Sequence, residues 1–92
     1  MRILVTPTFE RAVKKMHKQQ KAALDEVVRT IASRPEAGDT KVGDLAGVQV
    51  YKFRMDNLLC LLAYRVLDKN TLKLLMVGPH ENFYRDLKRT GH

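Results

Sequence analysis

The sequence predicts an α+β fold: an N-terminal strand, a two-helix hairpin, a three-stranded antiparallel meander and a short C-terminal helix, with the two helices on one face of the sheet. Three observations carry that expectation. Between residues 9 and 31 apolar side chains recur at helical spacing. From Val48 onward the period falls to two, or the apolar residues run together as in a buried strand. The two regimes are segregated along the chain, with Pro, Gly, Asp and Asn gathered at the joints between them.

The N-terminal stretch "RILVTP" (2–7) reads as a strand stopped by Pro7, and Thr8 is placed to cap the first helix. Phe9, Ala12, Val13 and Met16 stand at i, i+3, i+4 and i+7, so that helix is amphipathic. Leu24, Val27, Val28 and Ile31 repeat the spacing in a second helix, and the polar stretch from His17 to Lys21 separates the two. "SRPEAGD" (33–39) ends the second helix, and "KVGDLAG" (41–47) reads as a connecting loop. Val48 to Met55 is a strand with Tyr51, Phe53 and Met55 on one face and Val50, Lys52 and Arg54 on the other. Asp56-Asn57 makes a tight turn. Leu58 to Leu67 is nearly all apolar, which places it centrally in the sheet. Asp68 to Thr71 turns again, Leu72 to Val77 closes the meander, and Glu81 to Arg89 has the composition of a short helix. The helices cover the sheet face carrying Tyr51, Phe53 and Met55, and the opposite face is expected to lack a second layer. Thr90 to His92 read as a tail.

Composition bounds the function. Ninety-two residues make one domain, 1–92, with a modest core. The apolar fraction of 45% and the charged fraction of 29% are those of a soluble globular chain. The longest apolar run, Leu58 to Tyr64, falls far short of the roughly 20 residues that span a bilayer, so no membrane partner is expected. Arg2 follows Met1 and Pro7 comes soon after, a pattern without the marks of a signal peptide. The single cysteine, Cys60, sits in the apolar run; it builds no disulfide framework and fits a reducing cytoplasm.

Net charge is +7, from 17 Lys and Arg against 10 Asp and Glu. Both halves carry the excess, so it belongs to the folded body and favours a polyanionic partner. Arg11, Lys14, Lys15 and Lys18 form a second stripe on the first helix, about 180° from the apolar one. Such a stripe is either a solvated face or a track for a phosphate backbone. Lys52 and Arg54 leave one sheet face about 7 Å apart, where they repel unless an anion lies between them; phosphate is the natural candidate. His80 follows Gly78-Pro79 at a strand end, a place that holds a side chain firmly yet exposed, as a general base requires. Tyr84 lies four residues on and, in a helical segment, shares its face. A ring there can stack on a nucleobase.

Other chemistries find no foothold. "HENFY" has Tyr84 where a zinc-binding HExxH needs its second His. His17 and His92 show no ligand spacing, and Asp39 and Asp44 have no partner carboxylate on their own elements. The kit of cations, one His and one Tyr suits metal-free, cofactor-free RNA cleavage. RNA brings its own 2′-OH nucleophile and needs only a base, an acid and cations around the phosphorane.

The strand, the helical hairpin, "DLAGVQVYKFR", a strand ending "LLAYRV" and then "VGPHENFYRDLKR" together resemble the RelE/ParE superfamily of bacterial toxins. The likeness covers nearly the whole chain and is most specific over residues 44–89. It implies a small α+β toxin of a type II toxin–antitoxin system, cytoplasmic, neutralised by an acidic antitoxin. Monomer and toxin–antitoxin hetero-oligomer are both compatible with it. The RelE-like branch implies ribosome-dependent, metal-free cleavage of mRNA in the ribosomal A site. The ParE-like branch implies inhibition of DNA gyrase by binding. A degenerate toxin that only represses its operon with its antitoxin is a third outcome. On the RelE-like reading, Lys52 and Arg54 match the paired cations of the nuclease strand. His80 falls where RelE has an arginine and YafQ-like toxins a catalytic histidine, and Tyr84 matches the base-stacking aromatic. Arg85, Lys88 and Arg89, with the first-helix stripe, hold ribosomal RNA. The sequence departs from the RelE pattern at Leu61, where that pattern has a catalytic arginine on the central strand; Arg65 lies about 13 Å further along. The upstream acidic and His residues of YafQ-like toxins have no match.

Overall fold

The computed structural model describes residues 1–90. Its elements are β1 (Arg2–Val5), α1 (Pro7–Lys14), α2 (Lys18–Ser33), β2 (Asp39–Thr40), β3 (Gln49–Met55), β4 (Leu58–Asp68), β5 (Thr71–Pro79) and α3 (Phe83–Arg89), with single 3₁₀ turns at Pro35–Ala37 and Gly43–Leu45. The five strands form one sheet in the order β1-β5-β4-β3-β2. β1 pairs parallel to β5, and the other neighbours are antiparallel. The apolar strand β4 is central, as its composition requires. Two-residue β2, at the joint between the stretch read as the helix end (33–39) and the one read as loop (41–47), is an edge strand too short to leave a sequence signature.

Pro7 begins the first helix instead of ending the first strand. It occupies the first helical turn, where its missing N–H costs nothing. The cap is Thr6, not Thr8: Thr6 Oγ1 accepts from Phe9 N at 3.1 Å and donates to the Leu75 carbonyl at 2.6 Å. One side chain thus both starts α1 and ties it to β5. α1 stops at Lys14, and His17 opens α2, where Gln20 Oε1 accepts from the His17 N–H at 2.9 Å. Lys18 therefore belongs to α2, and the expected four-cation stripe is broken by the turn after its third member.

The apolar stripes of the two helices meet one face of the sheet. Phe9, Leu24, Val27 and Ile31 pack with Leu62, Tyr64, Leu72, Leu74 and Val77. Burying each of these large side chains contributes about 1.5–3 kcal/mol before the loss of conformational entropy is counted. Tyr64 is fully buried, and its hydroxyl is satisfied on both sides. It donates to the Pro35 carbonyl at 2.6 Å and accepts from the Gly38 N–H at 2.9 Å, fixing the segment that leaves α2.

The opposite face is not bare. Phe83 and Leu87 of α3, with Leu45 from the second 3₁₀ turn, pack on Val48, Val50, Leu61, Ala63, Leu75 and Met76 as a second, smaller core. A register shift between Ala63 and Tyr64 leaves Leu75 as an extra residue in β5, so adjacent Leu75 and Met76 both serve this core. A short helix over Glu81 to Arg89, held by Phe83 and Leu87, is legible in the sequence; its place on this face of the sheet is not, because two apolar anchors do not say which face they cover. Thr90 is the C-cap of α3, its hydroxyl donating to the Leu87 carbonyl at 2.9 Å, so it is not tail. The rest of that expected tail lies outside the described residues.

Candidate active site

Register brings the strand candidates together. Lys52 pairs with Leu61 and Leu61 with Gly78, giving one row across β3, β4 and β5. In the next row Arg54 pairs with Leu59, and the His80 N–H donates to the Leu59 carbonyl at 2.9 Å. Residues paired across strands share a face, so Lys52, Arg54 and His80 all belong to the face that α3 covers in part. Arg54 and His80 flank the same central residue, which sets their backbones about 10 Å apart at two strand spacings. All three side chains are exposed. Gly78 has no side chain, and a Cβ placed there would touch nothing within 4 Å. The floor between the β3 cations and His80 is therefore open.

The turns at both ends of this patch are tightly closed. Asp56 and Asn57 take φ of 56° and 63°, the paired left-handed conformation that closes a two-residue hairpin without splaying its strands. The Arg54 guanidinium reaches back to the Asn57 carbonyl at 3.5 Å. After β5 the His80 carbonyl accepts from the Phe83 N–H at 3.2 Å, and Asn82, at φ 62°, turns the chain into α3. That kink means residues 80–82 are not helical. The expected i, i+4 relation between His80 and Tyr84 therefore does not hold.

Tyr84 lies on α3, half-buried against the second core, with its ring edge-on to Phe83 at 5.7 Å between centroids. Its ring is covered by a cation that sequence reasoning missed: Lys41 Nζ lies 5.1 Å from the ring centroid. Lys41 follows β2, and its N–H donates to the Val48 carbonyl at 2.9 Å, extending the β2–β3 ladder by one residue. Its signal in the sequence is a lone lysine in an apparent loop. Arg85, Lys88 and Arg89 are exposed on α3, and Arg85 pairs with Asp86 at 3.6 Å. Arg11, Lys14, Lys15 and Lys18 are exposed on the helical layer, across the sheet from Lys52, Arg54 and His80. The fold therefore gives the molecule two basic surfaces and does not merge them.

Leu61 has no exposed surface and is a member of the second core, against the layer of Phe83 and Leu87. A charged side chain at this position would have to be desolvated under α3. Arg65 is engaged elsewhere, donating to the Ala46 carbonyl at 3.4 Å. Among the described residues no group of three or more His, Cys, Asp or Glu side chains converges as a metal site. No helix among them is long and apolar enough to cross a membrane.

Residues 3–88 match the family model of the ParE-like toxins of type II bacterial toxin–antitoxin systems. The chain belongs to that family. The ParE-like toxin shares its fold with RelE structures. A free double arginine-to-alanine variant of E. coli RelE superposes with a TM-score of 0.75 at 15% identity, over 98% of this chain and 94% of that one. The toxin of the intact E. coli RelBE toxin–antitoxin complex gives 0.70 at 16% identity, covering 87% and 96%. The RelBE2 toxin–antitoxin complex of Mycobacterium tuberculosis gives 0.67 at 24% identity, covering 86% and 96%. No curated protein matches the sequence. The toxin is thus of RelE/ParE type, as the motifs at residues 44–89 implied.

Proposed function

We propose that this toxin is a ribosome-dependent endoribonuclease that cleaves mRNA and so inhibits translation. The observation that carries the reading is the placement of Lys52, Arg54 and His80 on one sheet face around the open floor at Gly78. The RNA 2′-OH attacks the adjacent phosphorus and the P–O5′ bond breaks, leaving a 2′,3′-cyclic phosphate and a 5′-OH. His80 takes or gives the proton. Lys52 and Arg54 stabilise the charge that builds on the phosphorane oxygens, where fixed cations contribute most. Tyr84 stacks on a substrate base, and Arg85, Lys88 and Arg89 hold ribosomal RNA. An acidic antitoxin neutralises the basic surface; two of the similar structures are toxin–antitoxin complexes, which supports a partner of that kind. In vitro translation with primer extension tests the reading: cleavage on ribosomes by the parent and its loss in His80→Ala and Lys52→Ala support it.

A second reading has its own support. The matching family model is ParE-like, and Leu61 is built into a core where the RelE pattern has an arginine. On that reading the toxin inhibits DNA gyrase by binding, and the basic surfaces hold the gyrase complex. A supercoiling assay distinguishes the two: inhibition of gyrase with mRNA left intact reverses the ranking. A toxin that neither cleaves mRNA nor blocks gyrase, and is harmless when expressed alone, acts only in repression with its antitoxin.

A further inference from the structure

The Lys41 ammonium lies over the ring of Tyr84, the ring that the endoribonuclease reading assigns to base stacking. Both cannot hold the same ring face at once. We propose that Lys41 is a displaceable placeholder and substrate-positioning residue: an incoming base takes its place on Tyr84, and the freed ammonium moves to the phosphate of that same nucleotide. The inference rests on the RNA reading of the site and goes beyond it by adding a residue and an order of events.

Magnitudes decide which occupant wins. A cation–π contact between two half-buried side chains favours the closed arrangement by a factor of roughly 2 to 30. Stacking of a base on an aromatic side chain favours the nucleotide by a factor of roughly 5 to 150. A well-stacked base therefore displaces the ammonium. The lysine is not lost to solvent afterwards, because its backbone is anchored by the Val48 carbonyl and its flexible stem keeps the charge within one side-chain length of that anchor. A nucleotide stacked on Tyr84 brings its own phosphate into that radius. With no base present, the same ammonium covers the half-buried ring and shields it from water.

The test uses the full-length toxin and ribosomes programmed with an mRNA whose A-site codon carries 2-aminopurine and 2′-O-methyl groups, which block cleavage. Quenching of the 2-aminopurine reports stacking, and titrations at several salt concentrations report charge. The parent is expected to quench. Lys41→Met is expected to quench at least as deeply at saturation and to lose about 0.7 from the slope of log affinity against log salt, because the phosphate contact is gone while the competition for the ring is also relieved. Lys41→Arg should restore the slope. An unchanged salt slope in Lys41→Met would overturn the proposal, as would loss of quenching at saturation, which would make Lys41 a support for the ring. Unaltered thermal melting of both variants keeps the comparison free of folding effects. Absence of quenching by the parent itself instead removes Tyr84 stacking from the underlying reading, and this proposal with it.

Discussion

Single residues separate chemistry from architecture in this toxin. His80 and Lys52 are exposed and make no side-chain hydrogen bond or ion pair within the described residues, so their replacement should leave folding intact and remove activity. Loss of a positioned acid–base group costs about 10²–10⁴ in rate, and His80→Ala should show a fall of that order in a single-turnover cleavage assay at unchanged melting temperature. Tyr64 behaves in the opposite way. Tyr64→Phe leaves the Gly38 N–H and the Pro35 carbonyl without their partner, and denaturant titration should show a loss of about 1–3 kcal/mol. Gly38→Ala should be at least as costly, because a Cβ there would stand 2.6 Å from the Tyr64 hydroxyl. Leu61 explains why one part of the site is unreadable from sequence. An apolar residue at a position where a related pattern has arginine looks like a gap in the site. Only the location of α3 above it shows that the residue is core.

Burial also gives Tyr64 and Cys60 a voice in pH dependence. Desolvation raises the Tyr64 phenol above its ordinary 10.0, and desolvation, with Asp56 nearby, raises the Cys60 thiol above its ordinary 9.0. Both groups hold their protons more tightly folded than unfolded. Their contribution to stability is therefore fully present below about pH 9 and is lost as pH rises through the folded values. Urea midpoints should be flat from pH 7 to 9 and fall above it, and Cys60→Ala should delay the start of that fall. Slow modification of the Cys60 thiol by a disulfide reagent at neutral pH should accompany this behaviour.

At the level of elements, long periodic segments are legible in the sequence through their spacing, and short ones only through composition or not at all. α2 and β4 declare themselves through spacing and composition, since each buries many side chains in a regular pattern. β2 has two residues and leaves no trace, while α3 has seven and shows in the composition of Glu81 to Arg89 without saying which sheet face it covers. The start of α1 is misread from sequence for a definite reason: Pro7 reads as the end of the strand, whereas it fills the first helical turn, which makes the preceding Thr6 the cap. Thr6→Ala removes the bond to the Leu75 carbonyl and the cap together and should destabilise the fold by about 1–2 kcal/mol. α3 is the element on which both core and site depend. Leu87→Ala should cost about 2–5 kcal/mol through the cavity it leaves. It should also lower activity more than Thr6→Ala does, because it loosens the platform of Tyr84. Paired measurements of stability and cleavage on the two variants check this.

The whole molecule is a basic body whose sheet separates two positively charged surfaces. Net charge +7 indicates the class of partner, but not which cations act together. The first-helix stripe and the Lys52–Arg54–His80 patch look alike in a composition count, and the sheet places them on opposite sides. Replacing Lys14 or Lys15 should therefore weaken ribosome binding and reduce its salt slope by about 0.7–0.9 per phosphate contact, with the cleavage rate at saturation unchanged. Replacing Lys52 should do the reverse, lowering the saturated rate far more than the affinity. The central claim is that the patch around Gly78 cuts RNA, and the most direct test is primer extension on mRNA translated in vitro with parent, His80→Ala and Lys52→Ala toxins. The account predicts A-site cleavage by the parent that depends on ribosomes and disappears in both variants. Cleavage by His80→Ala at the parental rate, or intact mRNA beside inhibited gyrase with the parent, would contradict it.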